Sequence, residues 1–346
     1  MIDTLEILAR RRGARWIDGS ARRVSALLAR HSLAVIRFFG ILLAVAYMSR
    51  MPASAGETAE APAVARLTEL GARIEYSAPH GAQFVDQVYL VGKQIGDDAL
   101  GSLASFPHLR SLSLRETSVT DNGMKTLSVL KELDSLYLFG TKITDTGLLN
   151  LTSLRKLRLL NLSDTLVTDA GLRLVAKMPN LDMLGLDGTV VSDAGLAHVR
   201  SLKRLWALGL SRTRVTDAGI AQLKELASLD YVDLAGTSVT DKGVALLKDF
   251  PKLKRLDLSS TKITDSGLAS LGSMTQLTHL NVSHNTVSDE GLMHLTKLTR
   301  LYYLDWGFTD ISQDGIDKLR RSIPDLNASV PKEIDEIMRA INKKKM

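Results

Sequence analysis

The chain has 346 residues, 45% of them hydrophobic and 24% charged, with 25 Gly, 8 Pro and no Cys. That composition excludes a mainly disordered or collagen-like chain, and the lack of cysteine excludes disulfide frameworks, thiolate metal sites, iron–sulfur clusters and cysteine nucleophiles. The net charge of +6 resides in residues 1–55, which hold nine Arg, no Lys and three acids, while the rest carries 35 basic and 35 acidic residues. Beyond residue 55 the chain therefore lacks the net basic charge expected of a nucleic-acid binder.

Residues 1–55 read as a signal peptide or an N-terminal membrane anchor. The Arg-rich stretch runs into Phe38–Met48, which has no charge, and Ala53-Ser54-Ala55 follows with the small-residue spacing of a cleavage site. For an anchor, Leu33–Met48 supplies 16 residues interrupted by Arg37, short of the ~20 that span a bilayer comfortably. Both readings place the following residues outside the cytoplasm: periplasmic, secreted, or attached to a membrane through residues 33–48. Residues 56–84 are a linker and an N-terminal cap. Glu57–Ala65 is small and polar, Val64, Leu67 and Leu70 have helical spacing, and Arg73–Tyr76 is strand-like.

From residue 85 the chain is periodic. The phrase Val/Ile-Thr/Ser-Asp-x-Gly-apolar recurs with its Asp at 121, 145, 169, 193, 217, 241, 265 and 289, always 24 residues apart. Degenerate copies at Asp97 and Gln313 extend the series to about ten repeats over residues 85–322. Apolar residues stand 12, 9 and 7 positions before each Asp, as at Leu133, Leu136 and Leu138, and the last pair has strand spacing. After the Asp they return at helical spacing, as at Leu148, Leu151 and Leu154. Each repeat is thus a short strand, a turn and a helix of two to three turns. No single repeat can bury both of its apolar faces, so neighbours stack around one core. The Thr or Ser before the Asp suits a helix N-cap, the Asp suits the N-terminal end of the helix dipole, and the Gly at +2 suits close approach of neighbouring coils. Residues 323–346 read as a C-terminal cap helix, with Ile334, Ile337, Met338 and Ile341 at helical spacing, and a basic tail at Lys343–Lys345.

The pattern L-x-x-L-x-L-x-x-T-x-V/I-T-D-x-G-L-x-x-L resembles the leucine-rich repeat family, nearest to the class with T-D-x-G-L helix starts found in bacterial proteins and beside F-boxes in ubiquitin-ligase adaptors. The resemblance implies an α/β solenoid: an arc with a parallel sheet on its concave face and helices on its convex face. Four positions before the Asp, many members of the family carry Asn. Here only Asn285 does; Thr stands there at 117, 141, 165, 189, 213, 237, 261 and 309, which implies fewer ties between turns.

Catalytic signatures are missing from the sequence, as are phosphate loops, dinucleotide fingerprints and H-E-x-x-H, so neither an enzyme nor a cofactor is expected. One carboxylate per repeat falls short of the six to eight oxygens that calcium takes, so the Asp column implies no metal. What remains is the concave face, onto which the residues 10, 8 and 6 positions before each Asp project. Tyr137, Phe139, Met183, Tyr231 and Tyr303 are expected there as anchors of a protein or peptide partner. Asp233, Asp257, Asn281 and Asp305, beside Arg255, form a polar line on successive strands ~4.8 Å apart. Like charges so close repel, which points to a basic peptide, an amine or a cation. The expected function is non-catalytic protein or peptide binding by an exported protein. The alternatives are a ubiquitin-ligase-type substrate adaptor, for which residues 56–83 are too short to hold an F-box, and a purely structural cell-envelope protein.

Overall fold

The computed structural model describes residues 60–78 and 83–328. The expected signal peptide or anchor, including residues 33–48, and the expected cap helix and tail after residue 328 lie outside the described residues. By its internal contacts the chain separates between Pro62 and Ala63, and the larger unit is the one described below. Among the described residues no helix is long and apolar enough to cross a membrane.

The 24-residue period becomes one coil of solenoid. An eleven-stranded sheet runs in sequence order, β1 to β11. It begins with β1 (Arg73–Ser77) and β2 (Phe84–Tyr89), and its repeat strands are three residues long, from β3 (Ser111–Ser113) to β11 (Tyr303–Asp305). Every pair from β2 onward is parallel and in identical register; Leu112, Leu136, Leu160 and Leu184 are consecutive neighbours and fully buried. Nine helices, α2 (Asp121–Leu127) to α10 (Gln313–Ser322), start at the repeat Asp or its equivalent and form the opposite layer. The result is an α/β solenoid arc whose continuous apolar core runs from Ala63 to Ala328. Trp306 of the last coil belongs to that core.

Both edges of the stack are covered. At the start, α1 (Ala61–Glu69) buries Ala63 and Leu67, and β1 pairs antiparallel with β2. At the end, Asn327 forms a parallel bridge with Tyr303 and exchanges backbone bonds with Tyr302 and Leu304. The antiparallel β1 and the single bridge at Asn327 thus break the parallel repeat at either end.

From Thr120 to Ser288 the hydroxyl of each N-cap residue accepts the N–H two residues on, as Thr144 does from Thr146 at 3.2 Å, and Ser312 accepts that of Gly315, three residues on. The first coil shows what the hydroxyl contributes. Gly96 stands at its cap with no side-chain bond, and Asp97–Ser105 winds as a 3-10 helix where every later coil begins an α-helix.

Each repeat Asp does more than favour its own helix. Asp121 Oδ1 accepts the backbone N–H of Thr144 in the next coil at 2.8 Å, and its Oδ2 accepts the Thr144 hydroxyl at 2.5 Å. The same two-pronged rung recurs from Asp97 onward, through Asp193 to Thr216, and ends with Asp289 to Ser312. The glycine at +2 makes room for it. A Cβ at Gly147, Gly195 or Gly219 would stand within 3.0 Å of the Oδ1 of the preceding coil's Asp. The Thr column, by contrast, bonds inside its own coil, as Thr141 does to the Leu138 carbonyl at 2.6 Å. Asn285 alone reaches across, donating to the Leu258 carbonyl at 2.7 Å and accepting from the Thr261 N–H at 3.1 Å.

Asp193→Ala strands the Thr216 N–H in a half-buried site and should cost ~1–3 kcal/mol. Gly219→Ala forces its methyl into the Asp193 carboxylate and should cost a similar ~1–3 kcal/mol. Because one side chain meets the other, the double variant should lose at least ~0.5 kcal/mol less than the sum. Urea titration of the four proteins checks this; strict additivity would show that the glycine does not serve the rung.

Candidate functional site

The parallel register aligns the inward-facing residues into columns across the sheet. One column reads Ser135, Leu159, Met183, Ala207, Tyr231, Arg255, His279, Tyr303; the next reads Tyr137, Asn161, Gly185, Gly209, Asp233, Asp257, Asn281, Asp305. All ten expected contact residues therefore lie on, or one step beyond, the inner face of the strands. They are not equally accessible. Tyr137, Phe139, Arg255, Asp257, Asn281, Tyr303 and Asp305 are half-buried, whereas Met183 is 4% exposed, Tyr231 7% and Asp233 2%.

Those three belong to the inner face by register but not to its accessible surface, which corrects the expectation that they contact a partner. Met183 and Tyr231 lie outside the apolar core. The small residues Gly185, Ala207 and Gly209 stand beside them in the middle of the arc. Asp187 lies where a Gly209 side chain would be, and its Oδ1 would stand 2.7 Å from a Cβ there. It accepts the Ser211 N–H at 2.9 Å and the Ser163 hydroxyl at 3.1 Å. With no side chain at Gly209 to accept it, the Ser211 hydroxyl is buried without a hydrogen-bond partner.

The polar line proves to have a local task. Asn161, Asp233, Asp257, Asn281 and Asp305 each accept, through Oδ1, the N–H two residues on, at 2.9–3.1 Å. A short polar side chain closes the strand end in this way, which accounts for Asp or Asn in this column. Asn281 also donates to Asp257 Oδ2 at 2.9 Å, so it separates Asp257 from Asp305. Asp233 and Asp257 remain as adjacent acids. Burial, then the nearness of Asp257 and Asp187, pushes the Asp233 carboxyl up to about 8. Burial likewise raises Asp257 and Asp187, and the Tyr231 hydroxyl, 3.4 Å from Asp233 Oδ2, is raised well above its ordinary value.

A second charged column, one residue before the strands, was missed by reading only the inward positions. Asp86, Arg110, Asp134, Arg158, Asp182, Trp206, Asp230 and Lys254 occupy it in order. Arg110 pairs with Asp86; Arg158 and Arg204 converge on Asp182; Lys254 and Arg255 converge on Asp230. Asp86, Asp182 and Asp230 are buried beneath these cations. Bonding to Asp86 and Asp182 holds the guanidiniums of Arg110 and Arg158 above their usual range. Trp206 interrupts the alternation, and Arg255 fills that place, 5.7 Å from the Trp206 ring centroid and 5.8 Å from that of Tyr231. The signal was present as alternating signs every 24 residues.

Two stretches of the inner face stay accessible. Near the start are Tyr137 and Phe139, with the Arg115 guanidinium 5.6 Å from the Phe139 ring. Toward the end are Asp257, Asn281, Tyr303 and Asp305, with His279 about 6 Å from the rings of Tyr302 and Tyr303. Among the described residues, Asp257 and Asp305 form no ion pair, unlike Asp86, Asp182 and Asp230 of the neighbouring column. No group of three or more His, Asp or Glu side chains among the described residues is placed to hold a metal ion.

A leucine rich repeat family model matches residues 227–287 and a second matches residues 107–128. No curated protein shows significant similarity. Among solved structures, an internalin (inlF) from Listeria monocytogenes is 22% identical with a TM-score of 0.51, covering 66% of this chain and 69% of its own. A second internalin from Listeria monocytogenes is 25% identical with a TM-score of 0.46, covering 62% of this chain and 84% of its own. The first likeness is one of fold.

A carboxyl whose pKa rises on folding binds protons more tightly in the native state, so stability falls as pH climbs from the unfolded value to the folded one. For Asp233 that window runs from about 4 to about 8. Asp233→Asn keeps the acceptor for the Ala235 N–H, as Asn161 does for Ser163. It should raise the denaturation midpoint at pH 8 and flatten the slope across the window. Urea melts at pH 5 and pH 8 test this; an unchanged slope would show that Asp233 ionises freely.

Proposed function

We propose that this leucine-rich-repeat chain is a non-catalytic binding protein, exported from the cytoplasm, whose inner sheet face receives a protein or peptide. The observation that carries the reading is the contrast between adjacent columns. In one, Asp86, Asp182 and Asp230 are buried beneath basic partners; in the other, Asp257 and Asp305 stand half-buried without a cation, beside Tyr303 and His279. Carboxylates that the molecule leaves unneutralised, beside aromatic rings on rigid strands, favour a partner that brings positive charge. The arc fixes these side chains before binding, so little ordering cost falls on this side of a complex. The contact residues on this reading are Tyr137 and Phe139 at one end and Arg255, Asp257, Asn281, Tyr303 and Asp305 at the other.

A displayed random-peptide library selected on the full chain should yield ligands enriched in Arg and Lys. Their affinity should fall at least tenfold, about 1.4 kcal/mol, in a variant carrying Asp257→Lys, Tyr303→Ala and Asp305→Lys. Peptides bound equally by that variant, yet released by substitutions on the helical layer, would move the site off the inner face.

Export rests on the order of residues 1–55: arginines, then the uncharged Phe38–Met48, then Ala53-Ser54-Ala55. If the leader is cleaved, the mature protein from its host begins at Gly56. A retained N-terminus in a membrane fraction would support the anchor, and a full-length cytoplasmic protein would exclude export.

A further inference from the structure

The balanced charge of the repeat region conceals a segregation. All coils run the same way, so every helix begins at one edge of the arc and ends at the other. The seven-residue returns from helix to strand recur every 24 residues from 128–134 to 296–302, and together hold fourteen basic and six acidic residues. All fourteen bases are exposed, whereas among the acids only Glu225 and Asp249 are. The matching seven-residue turns on the opposite edge, from 116–122 to 284–290, hold eleven acidic and five basic residues.

Part of this pattern follows from the helices, because cations are favoured at their C-termini. That need is met by one base per coil. Three coils carry three bases each: Arg155, Lys156 and Arg158; Arg200, Lys203 and Arg204; Lys248, Lys252 and Lys254. Such crowding raises self-repulsion, and only some of it is relieved, by Lys156–Glu132, Lys203–Glu225 and the pairs to Asp182 and Asp230.

We propose that this basic edge docks on an anionic lipid surface. The charges are spread along one side of the arc, on seven of these eight coils and over on the order of 35 Å, instead of ringing a cleft. A line of bases on loops all facing one way can meet a flat surface at many points together, each contributing attraction within a Debye length of the lipid. The sequence carries a second feature of the same chemistry: eight arginines ahead of the uncharged Phe38–Met48. The inner sheet face is not used in this contact and stays open to its partner.

The test is co-sedimentation of the full chain with phosphatidylcholine vesicles, with and without phosphatidylglycerol. One variant combines Lys177→Glu, Arg200→Glu, Lys224→Glu and Lys252→Glu. A second combines Lys142→Glu, Arg214→Glu, Lys242→Glu and Lys262→Glu. Both change net charge equally, keep residues 1–55 intact and spare the ion pairs described above; circular dichroism confirms that they fold. Wild type should bind the anionic vesicles more tightly than the neutral ones, and added salt should weaken it. The first variant should lose at least about tenfold of that difference, and the second should keep it. Equal losses in both variants, or none in either, would overturn the proposal. So would binding to duplex DNA or to polyglutamate as tight as to the anionic vesicles, which would mark the edge as a general polyanion surface.

Discussion

The structure depends on one carboxylate per coil. By accepting a backbone N–H and a hydroxyl from the next coil, each repeat Asp fixes where that coil's helix begins, and the N-cap hydroxyl it holds is the one that starts the helix. Helix nucleation and coil stacking are thereby a single event. The glycine two residues on belongs to the same device, since any side chain there would meet the carboxylate. A triad of Thr or Ser, Asp and Gly thus performs, at the helical layer, what Asn285 performs once at the turn.

That coupling sets the character of the inner face. Because each coil is placed relative to its neighbour by two hydrogen bonds as well as by leucine packing, no strand slips, and columns of equivalent side chains form. Whether a column is inert or available then depends on local chemistry. In the column before the strands, Asp86, Asp182 and Asp230 meet bases of neighbouring coils and are buried. In the column within the strands, Asp and Asn first close their own strand ends, and Asp257 and Asp305 are left half-buried with hydrogen bonds but no cation. The row of acids therefore has a structural origin and a residual binding capacity, and neither excludes the other.

The fold was legible because its determinants repeat. The leucine spacing, the T-D-x-G start and the unbroken period predicted strand, turn, helix and stacking, and the strand register and the N-terminal helix and strand lie where the pattern put them. Accessibility was not legible. Met183, Tyr231 and Asp233 point inward as their positions require, but they are buried, and contacts between columns, such as Asp187 occupying the space at Gly209, escape a single-column reading. The cross-coil role of the Asp was hidden for a similar reason: a helix-start residue with one sufficient local explanation gives no sign of a partner 23 residues on. The alternating column from Asp86 to Lys254 was legible in principle, as a sign that flips every 24 residues.

Charge shows the same limit at larger scale. Summed over the repeats it vanishes, and the sum suggests an electrostatically featureless surface. A solenoid does not average its charges, because its period sends the same repeat position to the same edge every time. Even a mild preference at one position, such as lysine after a helix C-terminus, is multiplied by the number of coils into a field along one side. Here the preference for acids at helix starts and bases at helix ends gives two edges of opposite sign on a region with no net charge. Dipole complementarity accounts for the sign of each edge. It does not account for three bases in a coil that needs one, and that excess is where the edge departs from what stability alone would select.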